Sequence, residues 1–145
     1  MMLLSGCGNK VVVPKLSPEE QAEADNYLKQ HGRHVIKHFL KDNLENPNKD
    51  FILKSAKYFV SQGANVNAKD KAYVEEVEQE KDNVGPDPPV FYATMMGNIE
   101  LLHLFVSKGA DMNVKNNEGQ TLLEVAKKNN QSEIVEYLAV WNSGP

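Results

Sequence analysis

"SQGANVNAKD" at residues 61–70 returns as "SKGADMNVKN" at residues 107–116. Two stretches this alike within 145 residues fix the architecture before any single residue does. Working outward, "VFYATMMGNIELLHLF" (90–105) aligns with "LLEVAKKNNQSEIVEYL" (122–138), in register from Leu123 onward. The step along the chain from Ala93 to Ala126 equals that from Leu101 to Ile134 and that from Leu102 to Val135. A fixed period of this kind marks a stack of supersecondary units, none of which buries its apolar face alone.

Upstream of the repeats the signals are helical. Ser17-Pro18-Glu19-Glu20 reads as a helix start, with Ser17 as N-cap, Pro18 at the first helical position and Glu20 completing a capping box. That helix is expected to run to about Gln30, where Gly32 breaks it. A second helix is expected from about Arg33 to Asn43, with Val35, Ile36, Phe39 and Leu40 on one face. "LENPNKD" is a loop, and a third helix, from about Phe51 to Gln62, carries Ile52, Leu53, Ala56, Phe59 and Val60.

In detail the repeats resemble the ankyrin family. Its turn-and-helix signature, T-P-L-H-x-A, has a degenerate match in Thr121-Leu122-Leu123-Glu124-Val125-Ala126 and a weaker one in Pro88-Pro89-Val90-Phe91-Tyr92-Ala93. Gly97-Asn98-Ile99-Glu100-Leu101-Leu102 is similar to the family's interhelical loop and the start of its second helix. Gly63-Ala64-Asn65-Val66-Asn67 and Gly109-Ala110-Asp111-Met112-Asn113 are similar to the stretch that ends that helix, with glycine as a left-handed stop. The resemblance implies an all-α ankyrin-repeat solenoid of about three repeats. Residues 17–47 form a helical cap and 48–145 the repeats, within one domain at 17–145. The first repeat lacks the signature, and "HVIKHFLKDN" must supply its first helix, as suits an atypical end unit. The family histidine is replaced by Phe91 and Glu124.

The step from Gly63 to Gly109 is longer than the step from Ala93 to Ala126, so extra chain is inserted within 68–88, giving one long finger loop. The insertion carries Glu75, Glu76, Glu78, Glu80 and Asp82. Insertions in a solenoid collect on one face, often the binding face, and an acidic rim there would steer a basic partner. The same carboxylates read equally well as a solvated loop. Tyr92, Met95 and Met96 occupy positions that the resemblance places toward the groove, and both residue types favour interfaces. These eight residues are the expected partner contacts, with packing under the insertion as the alternative for the last three.

Little points to chemistry. The net charge of −4 argues against nucleic acid, and no apolar run approaches a membrane span. His31, His34 and His38 share a helix flank at three- and four-residue spacings. With no cysteine or HExxH pattern beside them they read as a polar surface stripe, not a zinc site. His103 is expected to be a surface or packing residue. No nucleophile elbow, P-loop or dinucleotide fingerprint appears. The expectation is a binding module with no catalytic residues, no metal and no cofactor.

The chain opens with Leu4-Ser5-Gly6-Cys7, which resembles the lipobox of bacterial lipoproteins, with Cys7 as the lipidated residue. Residues 1–16 then read as the remnant of a lipoprotein signal and a flexible tether, although Met1 to Leu4 is too short for an apolar signal core. A complete signal would place the protein in the periplasm, bound to the membrane only through its lipid anchor. A start at Met1 would leave it in the cytoplasm. A short bacterial ankyrin lipoprotein resembles immunity proteins of type VI secreted phospholipase effectors. That resemblance implies a toxin partner and a monomer outside the complex. The rival expectation is a general periplasmic ankyrin scaffold without a toxin partner.

Overall fold

The computed structural model describes residues 15–67, 88–116 and 118–143. Cys7 and the acidic run from Glu75 to Asp82 lie outside them. Among the described residues the α-helices are, in order, α1 (Pro18–His31), α2 (Val35–Asp42), α3 (Lys49–Ser61), α4 (Pro89–Met96), α5 (Ile99–Ser107), α6 (Leu122–Lys128) and α7 (Ser132–Ser143). A 3₁₀ turn, Gly32–His34, joins α1 to α2. One isolated bridge, Lys115 to Thr121, is the sole β feature among the described residues.

Local chemistry sets these boundaries. The box at α1 forms as expected: Glu20 N donates to Ser17 Oγ at 3.1 Å and Ser17 N donates to Glu20 Oε1 at 2.8 Å. A second box opens α6, where Glu124 N donates to Thr121 Oγ1 and Thr121 N donates to Glu124 Oε1. Asn48 and Asn98 cap α3 and α5 by accepting from Phe51 N and Leu101 N. Each side-chain oxygen satisfies an amide that the helix itself leaves unbonded. Gln62 and Lys108 follow the outer helices α3 and α5, and the next glycines, Gly63 and Gly109, have φ of +87° and +84°.

The helices pair into three hairpins, α2–α3, α4–α5 and α6–α7, in two rows. The inner row is α2, α4, α6, each packed on the next, and α3 packs on α5 in the outer row. Helix α1 covers the free side of the first hairpin through α2 and α3. The "HVIKHFLKDN" segment contains α2, which packs on α1, α3 and α4. The core runs through the stack: Ile36, Phe39, Leu40, Ile52, Phe59, Phe91, Ala93, Leu101, Leu102, Phe105, Ala126 and Ile134 are all buried. Branched and aromatic side chains fill the space between hairpins. Ala93 on α4 and Ala126 on α6, one period apart, are both fully buried.

Polar bonds repeat with the helices. Asn67 N donates to Asn65 Oδ1 and Asn113 N donates to Asp111 Oδ1, each at 2.9 Å. Between repeats, Asp111 N donates to Asn67 Oδ1 at 2.9 Å, Lys49 Nζ to Gly97 O at 3.1 Å, and Gln131 Nε2 to Met95 O at 3.2 Å. These bonds join neighbouring repeats.

Candidate protein-binding face

Two of the inner helices expose a residue at one equivalent position. Met95 in the last turn of α4 is 39% exposed, and Lys128, one period later, is exposed at the same position of α6. Met96 is half-buried and packs against the core, and Lys127 is exposed. The backbone beneath Met95 is fixed twice, by its helix and by the Gln131 carboxamide on its carbonyl. The arrangement is an apolar side chain on helical backbone with lysines one repeat away, which is suited to contact.

Tyr92 corrects one sequence expectation. It is 7% exposed and belongs to the core, not to a free surface. The reason is positional. Tyr92 precedes Ala93 as Val125 precedes Ala126, and Val125 is also buried, at 4%. That column turns into the stack in both repeats. Tyr92 is thus packed, as the alternative reading had it, and Met95 and Met96 remain of the expected trio at the surface. The histidine stripe is also less open than expected. His31 and His38 are half-buried and stack with ring centroids 3.9 Å apart and planes 10° from parallel, across the seam between α1 and α2. His103 is exposed and meets the ring of Tyr137 edge-on at 4.8 Å. No group of three or more histidine, cysteine or acidic side chains stands together for a metal among the described residues.

The carboxylates and phenols with shifted pKa values serve structure. Backbone amides at Ser17 and Thr121 hold the Glu20 and Glu124 carboxyls below the usual range. Burial, followed by its hydrogen bond to Asp42, pushes the Tyr27 phenol up to about 12. The hydrogen bond to Asp25, followed by burial, raises that of Tyr58. A cavity of about 270 Å³ lies at the C-terminal side of the stack, lined by Met112, Val114, Leu122, Leu123 and Leu138 among others.

Sequence reading missed a second exposed apolar area on α7. Val140 is 73% and Trp141 44% exposed, and the Trp141 ring lies 6.5 Å from that of Tyr137. The signal was present in the spacing: Ile134, Tyr137, Leu138 and Trp141 follow the i, i+3, i+4, i+7 pattern of one helix face, whose buried part is Ile134 and Leu138 and whose far end is the exposed Trp141.

The profile of ankyrin repeats, in three copies, matches residues 53–144. The chain belongs to the ankyrin-repeat family. No curated protein matches it. Ankyrin repeats are in general protein–protein interaction modules, and in this chain Met95, beside the half-buried Met96, is an exposed large apolar side chain of the inner row.

Proposed function

We propose that this ankyrin-repeat protein is a non-catalytic immunity protein that binds and neutralises a secreted antibacterial phospholipase. The observation that carries the binding part is Met95, an exposed apolar side chain held on a doubly anchored helix end beside Met96. Large apolar side chains on rigid backbone make good interface anchors, because little conformational freedom is lost on binding. The toxin part is supported by the resemblance of Leu4-Ser5-Gly6-Cys7 to a lipobox, followed by a short ankyrin stack. With Cys7 lipidated, the module would stand in the periplasm, where an incoming lipase acts. The inner face would cover the enzyme's active-site region, and Glu75, Glu76, Glu78, Glu80 and Asp82 would meet basic groups around it.

The test is affinity purification of the tagged full chain from native cells with the toxin locus expressed. Membrane and soluble fractions are analysed separately. The expected result is a phospholipase in equimolar complex, whose activity falls to background at one equivalent of the purified chain. Absence of any hydrolase from both fractions would overturn the toxin reading and leave a general scaffold. Within a confirmed complex, Met95→Asp should weaken binding by about tenfold or more without changing helix content. Unchanged affinity would remove this face from the interface.

A further inference from the structure

The three described methionines form a graded series. Met95 is 39% exposed, Met96 is half-buried against the core, and Met112 is 8% exposed within it. Thioether oxidation follows access of the oxidant to sulfur, so one fold presents three levels of protection over a short stretch of chain. The Met95 backbone is held by α4, and its carbonyl accepts in addition from the Gln131 carboxamide. Chemistry at its sulfur therefore leaves the fold's anchors in place. Met112 is 8% exposed and lines the cavity beside Val114, Leu122 and Leu138, so an added oxygen there would stand against an apolar wall.

We propose that Met95 is an oxidation-sensitive modification site that changes the character of the inner face while the stack stays folded. The co-reactant is a hydroperoxide. The thioether sulfur attacks one peroxide oxygen, the O–O bond breaks and an S–O bond forms. Sulfur loses two electrons, and hydrogen peroxide is reduced to water. The product is a polar, chiral sulfoxide with a strong acceptor oxygen in place of a flexible apolar side chain. Met95 is the exposed apolar anchor of the inner face, so the face becomes polar where an apolar partner group would sit. The effect on a partner rests on the functional reading above; the site selectivity does not.

The experiment exposes the full folded chain to hydrogen peroxide and follows oxygen addition at each methionine by peptide mass mapping over time. Far-UV circular dichroism and the melting midpoint are recorded on the same samples. Oxidation is expected in the order Met95, Met96, Met112, with Met95 several-fold faster than Met112. Helix content and melting midpoint should hold while only Met95 is modified. In urea the three rates should converge, and methionine sulfoxide reductase should restore Met95 in the folded chain. Met95→Leu should leave the rates at Met96 and Met112 unchanged. Equal rates in the folded chain, or a fall in the melting midpoint that tracks Met95 oxidation, would overturn the proposal. Loss of partner binding without Met95 selectivity would contradict it as well. Selective oxidation with unchanged binding would instead count against the contact role of Met95 and leave the modification site standing.

Discussion

At the scale of single residues, the stack is specified by a few positions whose backbone or cap leaves little choice. Gly97 ends α4 at φ +72°, and a side chain there would collide with Gln131 Oε1, the carboxamide that reaches across from the next repeat. Its counterpart one period later, Asn130, takes φ +56° with a side chain that tolerates this region. Gly97→Ala should therefore lower stability by about 1–2 kcal/mol, while Asn130→Gly should change it by about 0.5 kcal/mol or less. Urea titration distinguishes them, and equal effects would show that the left-handed turn at Gly97 is not the constraint. The capping carboxylates give a pH signature. Glu20 and Glu124 have folded pKa values below the ordinary 4.5, so their stabilisation is present above that value. It is lost as pH falls through the lower folded values. The double variant Glu20→Gln, Glu124→Gln should flatten the decline in melting midpoint over that acid range. A decline as steep as in the parent would assign the acid sensitivity elsewhere.

Helix α1 is the clearest element-scale case, because its own apolar content is small and Ala24 is its one buried residue. Side-chain bridges hold it instead. Tyr27 Oη donates to Asp42 on α2 at 2.9 Å, and Tyr58 Oη on α3 donates to Asp25 at 2.6 Å. The Tyr27 ring meets Phe39 edge-on at 5.4 Å, and His31 stacks on His38. The partly exposed Lys54–Glu20 pair at 3.3 Å adds little. Tyr27→Phe keeps the ring contact and removes the hydrogen bond, so about 1 kcal/mol should be lost. The Tyr27 pKa rises from 10.0 to about 12, so this contribution is complete below pH 10 and disappears as pH passes 12. Stability measured against alkaline pH should show the difference between parent and Tyr27→Phe close over that interval; a constant difference would mean that the phenol proton is not what binds α1. The start of α1 was legible in the sequence, because the Ser17-Pro18-Glu19-Glu20 box acts within one turn. The way it is held was not, because Tyr27–Asp42 and Tyr58–Asp25 join polar residues 15 and 33 apart that no local motif pairs. Tyr92 shows the same limit at the candidate site. Its chemistry suits an interface, and only its register with Val125 reveals that it faces inward.

Across the whole molecule, the repeat period was the most informative feature, because it places Leu101 on Ile134 and Gly97 on Asn130 without any knowledge of packing. It also dictates how stability is shared. In a solenoid each hairpin touches only its neighbours, so among the described helices the middle hairpin, α4–α5, is the link between the two ends. Leu102 on α5 and Ile134 on α7 are both buried, and truncating either to alanine should cost about 2–5 kcal/mol locally. The consequences should differ in reach. Leu102→Ala weakens the hairpin that both ends need, against a total of only about 5–15 kcal/mol for an ordinary domain. Amide exchange should then accelerate throughout, in α1, α2 and α3 as well as α6 and α7. Ile134→Ala weakens an end unit, so exchange should accelerate in α6 and α7 while the buried amides of α2 and α3 keep most of their protection. Hydrogen exchange read by mass spectrometry separates the two patterns. If Ile134→Ala deprotected α2 and α3 as strongly as Leu102→Ala, the three hairpins would unfold as one unit, and nearest-neighbour coupling would not describe this stack.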